Sequence, residues 1–305
     1  MRTAYDSTGY TTGNKGNVFL RFLSRNDPDC GLSRFGIGVR KRIYPVIRRL
    51  SGPLTDVKGV LVKAEPMPKG PKIFAVTHTY AREDIAWGLT FAGEQSYLIT
   101  NAYLELLHSS DGWALWASGV ILVNRYSKES RKASLLKAEN ALKLGANVMI
   151  FPEGVWNMSE NQIVRGLFPG VYNLAHTSQV PVIPMATMIY NGICYVSRGE
   201  PLRLDQHEKS AGITLLRDTM ATMKWELMER YGVSTRNELL DGKTPEDYWH
   251  DHVENYIATQ RIYEREAEAT AHYQSPQDRE QAAVKAHLDQ LIPCPENAFL
   301  FRSRD

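Results

Sequence analysis

Short apolar runs and longer amphipathic runs alternate along the central part of the chain, between residues 56 and 205. The short runs are rich in β-branched residues and bounded by turn-forming residues, which predicts strands. The longer runs have apolar residues three and four positions apart, which predicts helices. Alternation of this kind predicts an α/β domain with a mixed, largely parallel sheet flanked by helices. The predicted strands are 57–63, 73–77, 96–100, 120–123, 147–151, 182–189 and 193–196, and the predicted helices are 84–92, 102–108, 128–144 and 169–178.

Residues 1–55 combine a polar N-terminal segment with a basic amphipathic region that predicts a helix, which Pro45 would kink. One interpretation is a helix that lies on anionic lipid. The other is a helix whose apolar stripe packs on the core while its arginines face water. No acidic residue lies between Cys30 and Thr55, and the basic residues there are Arg34, Arg40, Lys41, Arg42, Arg48 and Arg49.

Residues 206–305 are predicted to form a charged C-terminal helical extension. Apolar residues recur at helical spacing through 209–231, and the stretch 246–291 is richer in Glu, Gln and Ala. We therefore expect helices that pack on the α/β core, which itself spans residues 56–205.

Composition limits the classes of function. A net charge of +2 does not indicate a nucleic-acid-binding protein. The three cysteines are far apart, which favours a reducing compartment and argues against a disulfide framework or a zinc site. No apolar run reaches the ~18 residues of a membrane-spanning helix, and the polar N-terminus lacks the apolar centre of a signal peptide. We expect a cytoplasmic protein that can bind peripherally to the inner face of the membrane.

The stretch FAVTHTYAREDIAWGL, residues 74–89, holds a polar group of side chains between two apolar elements. His78 follows a predicted strand, and Glu83 and Asp84 begin a predicted helix. A carboxylate at a helix start is stabilised by the free amides and the helix dipole, which explains Asp84 but not His78. A histidine backed by an acid can act as a general base. A buried histidine bonded to a backbone carbonyl is the alternative interpretation.

Three further motifs follow later predicted strands. Arg125 ends the motif GVILVNR, and its guanidinium suits a phosphate group, although a surface arginine would also fit there. The motif FPEG contains Glu153 and Gly154, and its glycine permits a tight turn. The motif VPVIP, residues 180–184, has two prolines around an apolar strand that can line a substrate groove or shape a sheet edge.

In this order the four motifs resemble those of the PlsC-type glycerophospholipid acyltransferases, the family of 1-acyl-sn-glycerol-3-phosphate acyltransferases. The resemblance covers residues 57–204. It implies transfer of a fatty acyl group from acyl-CoA or acyl-carrier protein to a hydroxyl of a lysophospholipid or glycerol-phosphate-like acceptor. By the same resemblance His78 is the general base with a carboxylate partner, and Arg125 binds the acceptor phosphate. Glu153 orients acceptor hydroxyls, and Gly154 lets the backbone come close to the ligand.

The resemblance implies no cofactor beyond the acyl donor, because the acceptor hydroxyl is itself the nucleophile. A metal site is not expected either, since the eight histidines form no cluster with ligand spacing. The expected partners are the lipid acceptor, the acyl donor and a membrane surface, without nucleic acid.

The chain departs from the family pattern at two places. The family separates its histidine and aspartate by four residues, a spacing that Glu83 satisfies, whereas five residues separate His78 and Asp84. Asp84 is preferred because it directly precedes the apolar helix, with Glu83 as the alternative. The family often continues FPEG with Thr-Arg-Ser, and this chain has Val-Trp-Asn, so Arg165 is the candidate for the missing charge. The acceptor can therefore carry less charge than lysophosphatidic acid. The alternatives are a degenerate relative that binds lipid or acyl carrier, or an acyltransferase for an unusual acceptor such as an amine.

Overall fold

A seven-stranded sheet with helices on both faces forms the centre of the protein. The structure is a computed structural model that describes residues 31–51, 55, 57–79, 82–101, 116–123, 127–154, 157, 163–233, 242–243, 247 and 251. The strands are β1 (Lys58–Ala64), β2 (Ile73–Val76), β3 (Ser96–Asn101), β4 (Val120–Val123), β5 (Asn147–Ile150), β6 (Val182–Tyr190) and β7 (Ile193–Arg198). The helices are α1 (Arg34–Ser51), α2 (Arg82–Ala92), α3 (Lys128–Lys143), α4 (Gly170–Ser178) and α5 (Lys209–Tyr231), with a short 3-10 helix at Leu204–Gln206.

The strand order is β1-β7-β6-β2-β5-β3-β4, and all neighbours are parallel except the antiparallel pair β6 and β7. The predicted α/β class with a mixed, largely parallel sheet is confirmed. Central strands are buried on both faces, which is why β2 is apolar at every position. Because β6 lies between β7 and β2, the two prolines of the VPVIP motif do not shape a sheet edge.

The two faces of β2 pack against different helices. Ile73 and Ala75 belong to the core formed with α3, α4 and α5, whereas Phe74 and Val76 pack with α2. Successive strand residues point to opposite faces, so this division follows directly from the alternation along β2.

Each predicted strand is present, with ends that differ by at most two residues. The largest difference is at β7, which continues to Arg198 because it pairs with β1 as well as β6. Helix α3 begins after Ser127, whose side chain accepts the Ser130 N–H, and ends before Gly145, which has a φ of 87°. The predicted helix 102–108 lies outside the described residues, as does almost all of 246–291.

Helix α1 contacts the edge of the sheet at which the parallel strands begin. Arg40 donates to the carbonyls of Trp116 and Ala117 ahead of β4, at 2.5 and 2.8 Å. Lys41 donates to the carbonyl of Gly145 ahead of β5 at 2.6 Å, and Tyr44 donates to the Leu89 carbonyl near the end of α2 at 2.7 Å. These contacts fasten one side of α1 to the domain.

The opposite side of α1 is apolar and exposed. Phe35 is 83% exposed and Val46 is 60% exposed, and Val39 and Ile43 between them are also exposed. The helix runs through Pro45. One side of α1 packs on the core, as the second interpretation of this segment predicted. The other side is apolar and is not covered by the described residues, as a helix that lies on lipid would require. Among those residues, no helix has the length and apolar character needed to cross a membrane.

Candidate active site

The carboxyl ends of β2 and β5 lie side by side, and candidate residues follow both strands. Ala75 of β2 is paired with Ile150 of β5, so the segments containing His78 and Glu153 leave the sheet at the same edge. The chain continues from β2 to α2 on one face and from β5 to α4 on the other. In open α/β sheets, ligands bind at carboxyl ends where the connections diverge in this way.

The His78 ring is held on two sides. Its Nδ1 lies 2.8 Å from Oδ2 of Asp84, and its ring packs on Phe151 with a centroid distance of 4.3 Å. The His78 side chain is 12% exposed, and that of Asp84 is fully buried. Because an ionised carboxylate only accepts hydrogen bonds, Nδ1 carries the hydrogen, and the lone pair of the neutral ring lies on Nε2. Of the two acids that the spacing left open, the structure pairs His78 with Asp84.

Oδ2 of Asp84 accepts two further hydrogen bonds, both from Thr79. The Thr79 N–H lies at 2.6 Å and its hydroxyl at 2.9 Å. Asp84 is in the first turn of α2, where the helix dipole favours a negative charge. Its other oxygen, Oδ1, is buried and accepts no hydrogen bond from the described residues. Sequence analysis missed Thr79, because a threonine ahead of a helix is typical of an ordinary cap.

Glu153 is fully buried and joins two loops. Its Oε1 accepts the His78 N–H at 2.7 Å, and its Oε2 accepts the Arg165 N–H at 2.9 Å. The resemblance implied that Glu153 orients acceptor hydroxyls. In the structure this buried carboxylate is bonded through both oxygens to the backbone and fixes the loop that carries His78, and the role toward the acceptor stays a prediction.

Burial and the neighbouring charges shift the pKa of Glu153 in opposite directions. Desolvation raises the pKa of this carboxyl, and the Lys224 ammonium, the two backbone N–H donors and His78 lower it. Hydrogen bonds from two amides are the usual way to keep a buried carboxylate ionised. Burial has the largest effect, so the pKa of Glu153 lies above its usual value.

Thr77 and Thr187 fix the backbone that directly precedes His78. The hydroxyl of Thr187 on β6 donates to the Thr77 carbonyl at 3.0 Å, and the Thr187 N–H donates to the Thr77 hydroxyl at 2.8 Å. The Thr77 N–H continues the parallel ladder to the Met185 carbonyl at 3.0 Å. Both backbone groups of Thr77, the residue before the histidine, are thus bonded to the central strand β6. Thr187 lies in an apolar strand, and only its polar side chain there signalled a role.

Gly154 ends the FPEG motif in a tight turn with a φ of 72°. Its N–H donates to the Phe151 carbonyl at 3.0 Å, and a Cβ at this position would lie 2.5 Å from the ring of Phe168. Positive φ and the close aromatic ring both require glycine. The close approach of the Gly154 backbone to a ligand stays a prediction.

We expect Gly154→Ala to lower the free energy of unfolding by about 2–4 kcal/mol, from backbone strain and displacement of Phe168. Urea unfolding of the purified variant measures this loss. Gly192→Ala is the matched control, because Gly192 also has a positive φ, 71°, with no atom within 4 Å of its added Cβ. Equal losses in both variants would show that the Phe168 contact does not matter.

The remaining sequence-predicted residues have different outcomes. Arg125 lies outside the described residues. Arg165 does reach the site, since its backbone bonds Glu153 and its side chain is buried. Glu83 is buried beside Asp84 at the start of α2. Asn157 of the Val-Trp-Asn segment donates its N–H to the His78 carbonyl at 3.0 Å, so this segment also supports the histidine.

Comparison with known proteins finds acyltransferases, in agreement with the resemblance seen in the sequence. Residues 60–188 match the family model described as Acyltransferase. An uncharacterized acyltransferase of Schizosaccharomyces pombe is 26% identical over 121 residues, which cover 39% of this chain and 42% of the relative. A 1-acyl-sn-glycerol-3-phosphate acyltransferase of Chlamydomonas reinhardtii is 27% identical over 77 residues, covering 25% of this chain and 23% of the relative. The chain thus spans less than half the length of these curated relatives.

Among solved structures, the 1-acyl-sn-glycerophosphate (LPA) acyltransferase PlsC from Thermotoga maritima superposes with a TM-score of 0.51 at 19% identity. The superposition covers 64% of this chain and 83% of PlsC, so the two share a fold. The family match includes β2, β5, the His78–Asp84 pair and the FPEG motif. Residues 60–188 of this chain therefore match the Acyltransferase family model, and the chain shares the fold of PlsC.

Proposed function

We propose that this protein is an O-acyltransferase that moves a fatty acyl group from acyl-CoA or acyl-carrier protein to a hydroxyl of a lysophospholipid or glycerol-phosphate-like acceptor. The observation that carries the proposal is the 2.8 Å contact between His78 Nδ1 and Asp84 Oδ2 at the carboxyl edge of the sheet. A histidine with this partner and a supported backbone is suited to general-base catalysis. The place of the protein in metabolism would be phospholipid biosynthesis.

In this reaction Nε2 of neutral His78 takes the proton of the acceptor hydroxyl while the hydroxyl oxygen attacks the thioester carbonyl carbon. The tetrahedral intermediate collapses with cleavage of the carbon–sulfur bond, and the imidazolium gives its proton to the leaving thiolate. Asp84 orients the ring and stabilises the imidazolium between these steps. The products are one ester and one free thiol, so no further reactant is required.

The acceptor attacks directly in this proposal, without an acyl-enzyme. Cys194 is buried in β7, and burial raises the pKa of its thiol above the usual value. A thiolate is the reactive form of cysteine, so Cys194 is not suited to carry the acyl group. For the acceptor phosphate, Arg125 and Arg165 are the proposed ligands, because a guanidinium matches the geometry of phosphate oxygens.

The test is to incubate the purified protein with mixed lysophospholipids, glycerol phosphate and acyl-CoA or acyl-carrier protein, and to identify products by mass spectrometry. A new diacyl or monoacyl ester supports the proposal and names the acceptor. An amide product would favour the amine acceptor instead. Binding of acyl donor without any acylated product would favour a lipid- or carrier-binding relative and refute the enzyme.

We also propose that α1 binds the cytoplasmic surface of the membrane peripherally. The support is its uncovered stripe, in which Phe35 and Val46 are exposed and Arg42 and Arg49 flank the apolar side chains. Apolar residues next to arginines suit the interface of an anionic bilayer.

Arg42→Gln with Arg49→Gln is expected to weaken partitioning to anionic vesicles about 10-fold or more, because each arginine near the surface contributes attraction. Co-sedimentation with vesicles of anionic and of zwitterionic lipid measures this. Arg40 and Lys41 are left intact, since they hold α1 on the sheet. Lys132→Gln, an exposed lysine on α3, is the matched control. Unchanged partitioning of the double variant would refute the membrane proposal while leaving the acyl transfer untouched.

A further inference from the structure

Two side chains from distant parts of the sequence bond to the carbonyls at the C-terminal end of α2. The last four carbonyls of an α-helix have no partner within the helix and take donors from elsewhere. In α2 these donors are Tyr44 of α1 and Arg198, the last residue of β7. The end of α2 is therefore bonded to a helix that precedes the sheet and to the last strand of the sheet in chain order.

Tyr44 supplies a hydroxyl to this helix end. The hydroxyl donates to the Leu89 carbonyl at 2.7 Å and lies 3.4 Å from the Thr90 carbonyl. Burial raises the pKa of Tyr44 to about 12, so the hydroxyl keeps its hydrogen near neutral pH. Its side chain is 7% exposed, and a buried carbonyl that loses its donor is costly. The contact thus fixes the position of α2 relative to α1.

Arg198 supplies a guanidinium to the last two carbonyls of α2. Its Nη1 donates to the carbonyls of Phe91 and Ala92 at 3.2 and 3.3 Å. Its Nη2 donates to the Glu65 carbonyl at 3.3 Å, and the Glu65 N–H donates to the Arg198 carbonyl at 3.1 Å. The guanidinium thus joins α2 to the backbone that follows β1. Its positive charge lies at the end of the helix that the dipole makes negative.

The other end of α2 carries Asp84, whose Oδ2 lies 2.8 Å from His78 Nδ1. Asp84 and Leu89 are five residues apart, which is about 7.5 Å along a helix. Because the helix is hydrogen-bonded along its length, a shift of its C-terminal end along the axis carries Asp84 with it. A displacement of about 1 Å would break a contact of this length and can cost about 100-fold in rate.

We propose that Tyr44 and Arg198 are positioning residues for acyl transfer, which fix the C-terminal end of α2 and thereby hold Asp84 at bonding distance from His78. This inference rests on the proposed acyltransferase function. Both residues lie outside the family match at residues 60–188, so neither belongs to the motifs that indicate the reaction. They act through α2 and Asp84, and not on the substrate.

The first test removes only the Tyr44 hydroxyl. We expect Tyr44→Phe to lower kcat about 3-fold to 10-fold and to change KM less than about 2-fold, because Asp84 is misplaced while the substrate still binds. Tyr172→Phe is the matched control, since the Tyr172 hydroxyl also donates to a carbonyl at 2.7 Å, that of His207, and its side chain is also 7% exposed. Both variants should lose similar stability to urea, but only Tyr44→Phe should lose kcat.

The second test compares Arg198→Met with Arg198→Lys. Methionine removes the charge and the donors, and we expect kcat to fall about 10-fold to 100-fold. Lysine keeps the charge and can donate to the last carbonyls of a helix, so it should recover a large part of this loss. Arg217→Met is the control, because the Arg217 side chain bonds to the neighbouring Asp218 on the surface of α5, and it should keep the wild-type kcat. If Arg198→Met does not fold, the Tyr44 measurements decide.

A double variant tests whether Tyr44 acts through Asp84. In the Asp84→Ala background the position of α2 no longer affects the partner of His78. Adding Tyr44→Phe should then leave the residual kcat unchanged within about 2-fold, because residues that act as a unit are not additive. His78→Gln serves as the background if Asp84→Ala does not fold, since it lacks the base that Asp84 orients.

Wild-type kcat in either Tyr44→Phe or Arg198→Met would overturn the inference. An equal loss of kcat in Tyr172→Phe would overturn it too, and so would a loss from Tyr44→Phe that is the same with and without Asp84. General destabilisation would account for both of these results. A wild-type protein that acylates no acceptor refutes the proposed function itself. The two failures are distinguishable, because the first requires an active wild type.

Discussion

Replacing His78 with alanine is expected to lower kcat about 100-fold to 10,000-fold, because the acceptor hydroxyl loses the base that takes its proton. The loss should appear in kcat and not mainly in KM, since the ring is bonded to Asp84 and packed on Phe151 for proton transfer. Steady-state kinetics with the acceptor identified by mass spectrometry measures it.

Two controls make this result specific. His78→Gln keeps a side-chain donor that can reach Asp84, and it should be as inactive as the alanine variant while unfolding at a temperature close to that of the wild type. His207→Ala removes an exposed histidine, whose only described hydrogen bonds are made by its backbone, and should leave kcat unchanged. Turnover by folded His78→Gln at the wild-type rate would contradict the general-base role.

Asp84→Asn is expected to lower kcat about 1,000-fold or more, because the amide cannot stabilise the imidazolium that forms during transfer. Asparagine has nearly the shape of aspartate, so its oxygen can still accept from His78 and Thr79. The loss would therefore report the missing negative charge, and kcat with the thermal unfolding temperature would separate it from misfolding.

Glu83→Gln is the matched control for Asp84→Asn. Both carboxylates are buried in the first turn of α2, and only Asp84 accepts the hydrogen bond from His78 Nδ1. We expect a much smaller loss of kcat in Glu83→Gln. The reverse order of the two losses would assign the partner role to Glu83, the residue at the family spacing.

Local pattern was sufficient to predict the strands. A strand buried on both faces must be apolar throughout, so β2 and β5 stand out from the polar segments around them. The order of the strands depends on long-range pairing, which no short window of sequence contains. The antiparallel pairing of β6 with β7 follows from the tight turn at Asn191 and Gly192, both of which have positive φ.

Within the site, residues of a contiguous motif could be predicted and residues from distant segments could not. His78 and Asp84 are six positions apart, so their contact needs only one loop and one helical turn. Thr187 reaches the same place through the fold, and in the sequence it is a single polar residue in an apolar strand. For Glu153 the position was predicted, but its role depends on a burial that the motif does not reveal.

The position of α1 at the edge where the parallel strands begin affects how a lipid substrate would reach His78. Arg40 and Lys41 attach this helix where β4 and β5 begin, whereas His78 follows the end of β2, whose four residues span about 13 Å. A bilayer under α1 would therefore not touch the histidine directly. Substitutions in the exposed apolar stripe of α1, such as Phe35 or Val46, should change interfacial activation. Interfacial activation is the gain in rate that is measured when the lipid substrate is above its critical micelle concentration. These substitutions should leave the rate with a short-chain, monomeric acceptor as it is.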